Sequence, residues 1–251
     1  MSPRKTSTTA KDDKEWKHFE MFRRLLSDFP AGDVRKIDPP AADFLVDTPH
    51  GPLGIELARI INAPRREQEM LRNAAVDAAR LEFMQRGLPV VHASFFWSKK
   101  PLPKLSESKQ LGQALADFVE AHIPRSETAH LKLEWEELRA AGLDGLLSFV
   151  HIHRIPGIST LSWGSPDAEW VGTHSALVPE LVAKKMKKLP EYRRFCSEVW
   201  LLLIADGEEL SGMVDEAALA QQVLEASFER IYLLEVFSAR LYRLPVQRLG
   251  T

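Results

Sequence analysis

The sequence predicts a mixed α/β fold, an α+β mixed sheet with helices packed on its faces. Three observations predict it. Apolar residues recur with a helical period near the start of the chain. A pair of short alternating strands joined by a turn follows at 39–60, PPAADFLVDTPHGPLGIELARI. Strand-like and helix-like stretches then alternate to the C-terminus. The 251 residues are enough to bury a sizeable core. We expect a disordered N-terminal tail over 1–12 and a single domain over 13–251, with a core at about 14–100 and a C-terminal elaboration over 101–251.

Each element has a local reason. Trp16, Phe19, Phe22, Leu26 and Phe29 keep a helical spacing over 14–29, and Pro30-Ala31-Gly32 ends that helix. Residues 34–38 suit a short edge strand, and the hairpin 39–60 comes next. Ala63-Pro64 opens a long helix to about Arg86, with Leu71, Ala75 and Phe83 in register and Gly87 closing it. LPVVHASFFW (88–97) reads as a strand and SKKPLPK as a loop. Helices are expected at 107–122 and 131–141, and LLSFVHIHRI (146–155) is another strand. The Gly-, Ser- and Pro-rich stretch 156–174 reads as a loop. Val178, Val182 and Met186 mark a helix over 175–188, and VWLLLIA marks a buried strand at 198–205. A helix at 215–226 precedes two closing strands, RIYLLEVF and ARLYRL, joined by a tight turn near Ser238.

Composition excludes several classes of function. A net charge of −2 gives no global attraction to nucleic acid or to an anionic membrane, so such binding needs a local patch. The single cysteine, Cys196, excludes an internal disulfide framework and a cysteine-based zinc site. It reads as a buried structural thiol and fits a reducing compartment. No apolar run is long enough to span a bilayer, and the N-terminus carries no apolar signal segment. The expectation is a soluble cytoplasmic protein with no membrane partner. No G-x-S-x-G, P-loop or dinucleotide fingerprint is present.

The hairpin carries the chemistry. Side chains alternate across a strand, so if Phe44, Val46, Leu53, Ile55 and Leu57 face the core, Asp43 and Glu56 lie together on the other side. The turn centres near residue 50, which puts residue 43 opposite 56 or 57. Two carboxylates that close repel each other. A shared Mg²⁺ or Mn²⁺ would neutralise them and could activate water against a phosphodiester. The plainer reading is a pair of solvent-facing acids on a half-exposed hairpin.

The segment ADFLV…GPLGIELARI, preceded by an acidic amphipathic helix, resembles the PD-(D/E)XK nuclease superfamily, over residues 14–97. The resemblance implies a restriction-endonuclease-like core running helix, three strands, helix, strand. It implies metal-dependent phosphodiester hydrolysis of nucleic acid, DNA before RNA, with Asp43 and Glu56 as metal ligands. A glutamate on the first helix would assist. Glu15 aligns with Phe19, Phe22 and Leu26, and Glu20 falls on the flank beside Trp16. The chain departs from the pattern at Ala-Ala-Asp, where Pro-Asp is usual, and more seriously at Ala58, where the resemblance calls for a lysine. Gln68 is the first candidate to replace that group, followed by Arg65, Arg66 and Arg72; Arg59 should point to the opposite face. The departure also permits a catalytically degenerate protein that binds nucleic acid or a protein partner.

Two further stretches bear chemistry. KKMKKLPEYRR contains Lys184, Lys185, Lys188, Arg193 and Arg194, which could track a phosphate backbone or form a solvated helix end. Lys99, Lys100 and Lys104 are the next basic candidates. HIHR puts His151 and His153 on one strand face, a spacing that suits Zn²⁺ given a third ligand, or a pair of hydrogen-bonded structural histidines. The sequence leaves the oligomeric state open and is compatible with a homodimer.

Overall fold

The computed structural model describes residues 10–102, 108–126, 129–166, 174–207 and 210–248. Of the sequence expectations, the tail over 1–9, Lys104 and residues 167–173 of the expected loop lie outside them. In chain order the elements are α1 (Ala10–Leu25), β1 (Asp33–Lys36), β2 (Phe44–Thr48), β3 (Gly51–Arg59), α2 (Ala63–Gln85), β4 (His92–Trp97) and α3 (Ser108–Ala121). Next come β5 (His130–Leu133), α4 (Trp135–Ala140), β6 (Leu147–His153), β7 (Trp163–Gly164), α5 (Leu177–Met186) and α6 (Leu189–Tyr192). The chain closes with β8 (Glu198–Ala205), α7 (Glu216–Gln221), β9 (Leu224–Ala226), β10 (Arg230–Glu235), β11 (Arg240–Leu244) and β12 (Val246–Arg248). The fold is mixed α/β, and it divides into two compact units, residues 1–62 with 171–251, and residues 63–170.

The first unit is built on a six-stranded sheet of order β1-β2-β3-β8-β10-β11. β1, β2 and β3 form an antiparallel meander, β3, β8 and β10 run parallel, and β11 returns antiparallel. Both faces of this sheet are packed. On one, Phe19 and Phe22 of α1 meet Phe44, Val46, Ile55, Leu57, Trp200 and Leu202. On the other, Val178 and Val182 of α5 and Leu189 and Tyr192 of α6 meet Leu45, Ala58, Val199, Leu201 and Leu203. β8 therefore needs apolar side chains in both directions, and the unbroken run Val199–Ile204 supplies them.

The second unit has a four-stranded sheet of order β5-β6-β4-β7. α2 and α3 cover one face, through Ala75, Ala79 and Phe83 and through Leu115, Phe118 and Val119, packed on Phe95, Trp97, Val150 and Ile152. The two helices approach closely at Gly112, where a Cβ would stand 2.7 Å from that of Ala78.

Several boundaries differ from expectation, each for a physical reason. The expected core places strand 88–97 in the hairpin's sheet; β3 pairs instead with β8, and β4 belongs to the second unit. Burial along β4 alternates, which suits a sheet packed on one face, whereas β8 is buried on both. Residues 10–12 are already helical, and α1 stops at Leu25. Phe29 lies beyond it and turns back to pack edge-on against Phe19 and Phe22. The expected helix 131–141 splits into β5 and the short α4, because Leu131 and Leu133 alternate into the second core. The end of the expected helix 215–226 is β9, which pairs with β12.

Candidate functional site

β2 and β3 pair with Phe44 opposite Ile55 and Leu45 opposite Gly54, and the same register carried one step on sets Asp43 across from Glu56. Asp43 precedes β2. Its carbonyl accepts the Ile37 N–H at 3.1 Å. Its Oδ2 accepts the Leu57 N–H at 2.8 Å, so the side chain takes a place that a backbone carbonyl would fill further along the ladder.

Glu56 is only 4% exposed. On its face of β3 the flanking residues are Gly54 and Ala58, and Leu201 lies beside it on β8. A long side chain reaches this acid from α5. Lys185 Nζ lies 2.5 Å from Glu56 Oε1 and donates also to the carbonyl of Leu57 at 3.0 Å. The Tyr192 hydroxyl hydrogen-bonds Glu56 as well. The plainer reading, a half-exposed hairpin with solvent-facing acids, does not hold for Glu56: α5 and α6 cover the face that carries it, and the acid is held inside by an ammonium and a phenol. Burial of an ionised acid is tolerated only with such partners.

The electrostatics follow from this crowding. Burial and then the charge of Glu56 push the Asp43 carboxyl up to about 6, against the pull of the Leu57 N–H and of Lys185, with Glu15 adding to the rise. Burial, then Glu56 and Asp43, raise the Tyr192 hydroxyl far above the ordinary phenol range, so it is a fixed hydrogen-bond donor. At the margin, Glu15 pairs with Lys36 at 2.7 Å, and Lys36 also contacts Asp12. Burial opposes the charge on Lys36, but these two acids raise its pKa on balance.

The other sequence candidates lie as follows. Glu15 is half-buried, and its charge is felt at Asp43. Glu20 is exposed on α1, 3.9 Å from Arg23, and does not join the cluster. Gln68 belongs to the second unit, where its Oε1 accepts the Leu102 N–H at 2.8 Å. Arg65 and Arg66 lie 3.7 Å from Glu69, and Arg72 donates to the Ser98 carbonyl. Arg59 points to the α1 side as expected and pairs with Asp206, which Lys14 also approaches at 3.3 Å. Of the basic run, Lys184, Lys188 and Arg194 are exposed. Arg193 is tied to Glu229 at 3.0 Å and to the Ser227 carbonyl at 2.8 Å. Lys185, expected among the substrate contacts, turns inward.

Sequence reasoning missed Lys185 and Tyr192 as neighbours of Glu56. A signal for Lys185 was present. It follows Val178 and Val182 at helical spacing, so it falls on the buried stripe of α5, where a lysine needs an acidic partner.

Asp43 and Glu56 offer hard oxygen donors of the kind that Mg²⁺ and Mn²⁺ take, in a place where burial already disfavours two bare charges. Among the described residues no three carboxylate, imidazole or thiolate side chains converge, so the acids stand as a pair. No family model, curated protein or solved structure matches the chain.

Proposed function

We propose that this chain hydrolyses phosphodiester bonds of nucleic acid, DNA before RNA, at a site formed by Asp43, Glu56 and Lys185, with Mg²⁺ or Mn²⁺ as cofactor. One observation carries the reading. The Lys185 ammonium lies 2.5 Å from Glu56 Oε1, and Asp43 is close enough across the hairpin for the charge of Glu56 to help raise its pKa to about 6. Two acids and an amine make the charge set that the resemblance calls for. Here the amine comes from α5, in place of the missing lysine at Ala58.

Asp43 and Glu56 would hold the ion. When bound, it would lower the pKa of a coordinated water and offset charge developing on the phosphodiester. The chain's own groups do the positioning. The Leu57 N–H fixes one oxygen of Asp43, and Tyr192 and Lys185 fix Glu56. Lys185 also places its amine beside the acids, suited to an anionic substrate. The exposed Lys184, Lys188 and Arg194 on and beside α5 and α6 suit contacts to flanking phosphates, which would make binding weaken with salt. Among the described residues no helix is long and apolar enough to cross a membrane.

A second reading, nucleic-acid binding without cleavage, is favoured by the Lys185–Glu56 ion pair itself, which neutralises Glu56 without a metal. One experiment separates the two. Linear, circular and single-stranded DNA would be incubated with the protein, with and without Mn²⁺, alongside Asp43→Ala, Glu56→Ala and Lys185→Gln. Hydrolysis predicts metal-dependent cutting that all three changes abolish. Gel-shift binding by a wild-type chain that never cuts supports the second reading. Cutting that survives Asp43→Ala overturns the first.

A further inference from the structure

The second unit gathers four of the chain's eight histidines on the sheet face opposite α2 and α3. His153, on the central strand β6, stands directly opposite His130 of β5 and His92 of β4, so three imidazoles form a row across three strands. His151 lies two residues along β6 on the same face, between Lys132 and Ser94. The notion of a zinc pair at His151 and His153 lacked further ligands. Strand pairing supplies them from positions remote in sequence.

We propose that His130, His151 and His153, with His92 beside them, bind a divalent transition-metal ion, Zn²⁺ above all. The spacing is right. The His130 ring centre lies 4.9 Å from that of His151 and 5.4 Å from that of His153, and His92 lies 5.8 Å from His153. Zn–N bonds are about 2.0–2.1 Å and the ring centre sits a little beyond the nitrogen, so imidazoles that share an ion have centres roughly 5–6 Å apart. In the present rotamers no three donors among the described residues surround one point. The His130 ring already stands from both His151 and His153 at the separation of imidazoles that share an ion, so the proposed site needs side-chain rotation to turn the nitrogens toward one point. Two nitrogens also lack a partner: Nε2 of His92 and Nε2 of His151 are each shielded from solvent without a hydrogen bond among the described residues. A buried polar atom in that state costs free energy, which a metal or another ligand would recover.

The donor set decides which ion. Imidazoles suit Zn²⁺, Cu²⁺ and Ni²⁺, whereas Mg²⁺ takes oxygen ligands, so this site is chemically distinct from Asp43 and Glu56 and does not rest on the nuclease reading. Lys132 stands beside it, pairs with Glu134 and lies 5.0 Å over the Phe149 ring. Its charge is therefore partly offset.

The test is a ZnCl₂ titration of the full chain at pH 7.5, read by long-range ¹H–¹⁵N spectra of the histidine rings. The resonances of His130, His151 and His153 should move together, saturate near one equivalent and return with EDTA. His130→Gln alters an exposed side chain and should leave the fold intact. Loss of a group that only orients a ligand costs about 10–100-fold in affinity, so this change and His153→Gln should each cost at least about tenfold. His122→Gln should leave the affinity unchanged, and excess Mg²⁺ should not compete. Absence of ring shifts, or unweakened binding in the His130→Gln/His153→Gln double variant, would overturn the proposal.

Discussion

The Asp43 carboxyl stands at about 6 in the fold against an ordinary value of 3.8, raised first by burial and then by Glu56. A group raised in this way binds its proton more tightly in the native state. The stability it contributes is full below the unfolded value and is lost as pH rises from 3.8 through about 6. At neutral pH the ionised acid works against the fold, by roughly 3 kcal/mol at most. Asp43→Asn removes the charge and keeps an oxygen for the Leu57 N–H. It should raise stability by about 1–2 kcal/mol at pH 7.5 and have little effect near pH 4, as urea unfolding at both pH values would report. Under the proposed function the same titration reads out in activity. Metal-dependent cutting should climb as pH passes through about 6, because a protonated Asp43 is a poor ligand. Lys185 carries the opposite prediction. Lys185→Gln leaves Glu56 buried without its cation and should cost about 2–4 kcal/mol; adding Glu56→Gln should return most of that, as a double-mutant cycle would show.

Among the elements, the contact of β3 with the turn after α6 keeps the roof over Glu56 close. Gly54 makes that contact possible. A Cβ there would stand 2.6 Å from Cys196 Sγ and 3.2 Å from the Ala42 Cβ. Gly54→Ala should therefore cost about 1–3 kcal/mol through overpacking, and Cys196→Ala in the same chain should recover most of it. Thermal unfolding of the two single variants and the double variant measures this. Equal losses with and without Cys196 would mean that the clash lies elsewhere. The same elements show what a sequence can carry. The pairing of Asp43 with Glu56 was legible because a two-stranded hairpin with a short turn has only one or two registers, and both strand lengths are visible in the alternation. The burial of β8 was legible as well, in its continuous apolar run. The partner of β3 was not, since β4 and β8 are both strands and only burial on one face or two separates them. Nor was the row His92–His153–His130, because its members meet only through pairing between distant segments.

At the scale of the whole molecule, each hydrophobic cluster among the described residues is drawn from one unit. Two of them flank the sheet of the first unit, and the third, from Ala75 to Ile152, belongs to the second. Cooperativity follows shared burial, so each unit, with a core of its own, is expected to unfold as a cooperative body of its own. Calorimetry of the intact chain should show two transitions, and residues 63–170 expressed alone should reproduce one of them. The two candidate sites label the transitions independently. Zn²⁺ at about a hundredfold above its dissociation constant would stabilise the unit that binds it by about 2.7 kcal/mol, moving only the transition that the fragment reproduces. Asp43→Asn should move only the other, and only above about pH 6. A single transition displaced by both changes would mean that the two cores unfold as one body, and a Zn²⁺ shift in the wrong transition would take the histidine row out of the binding site.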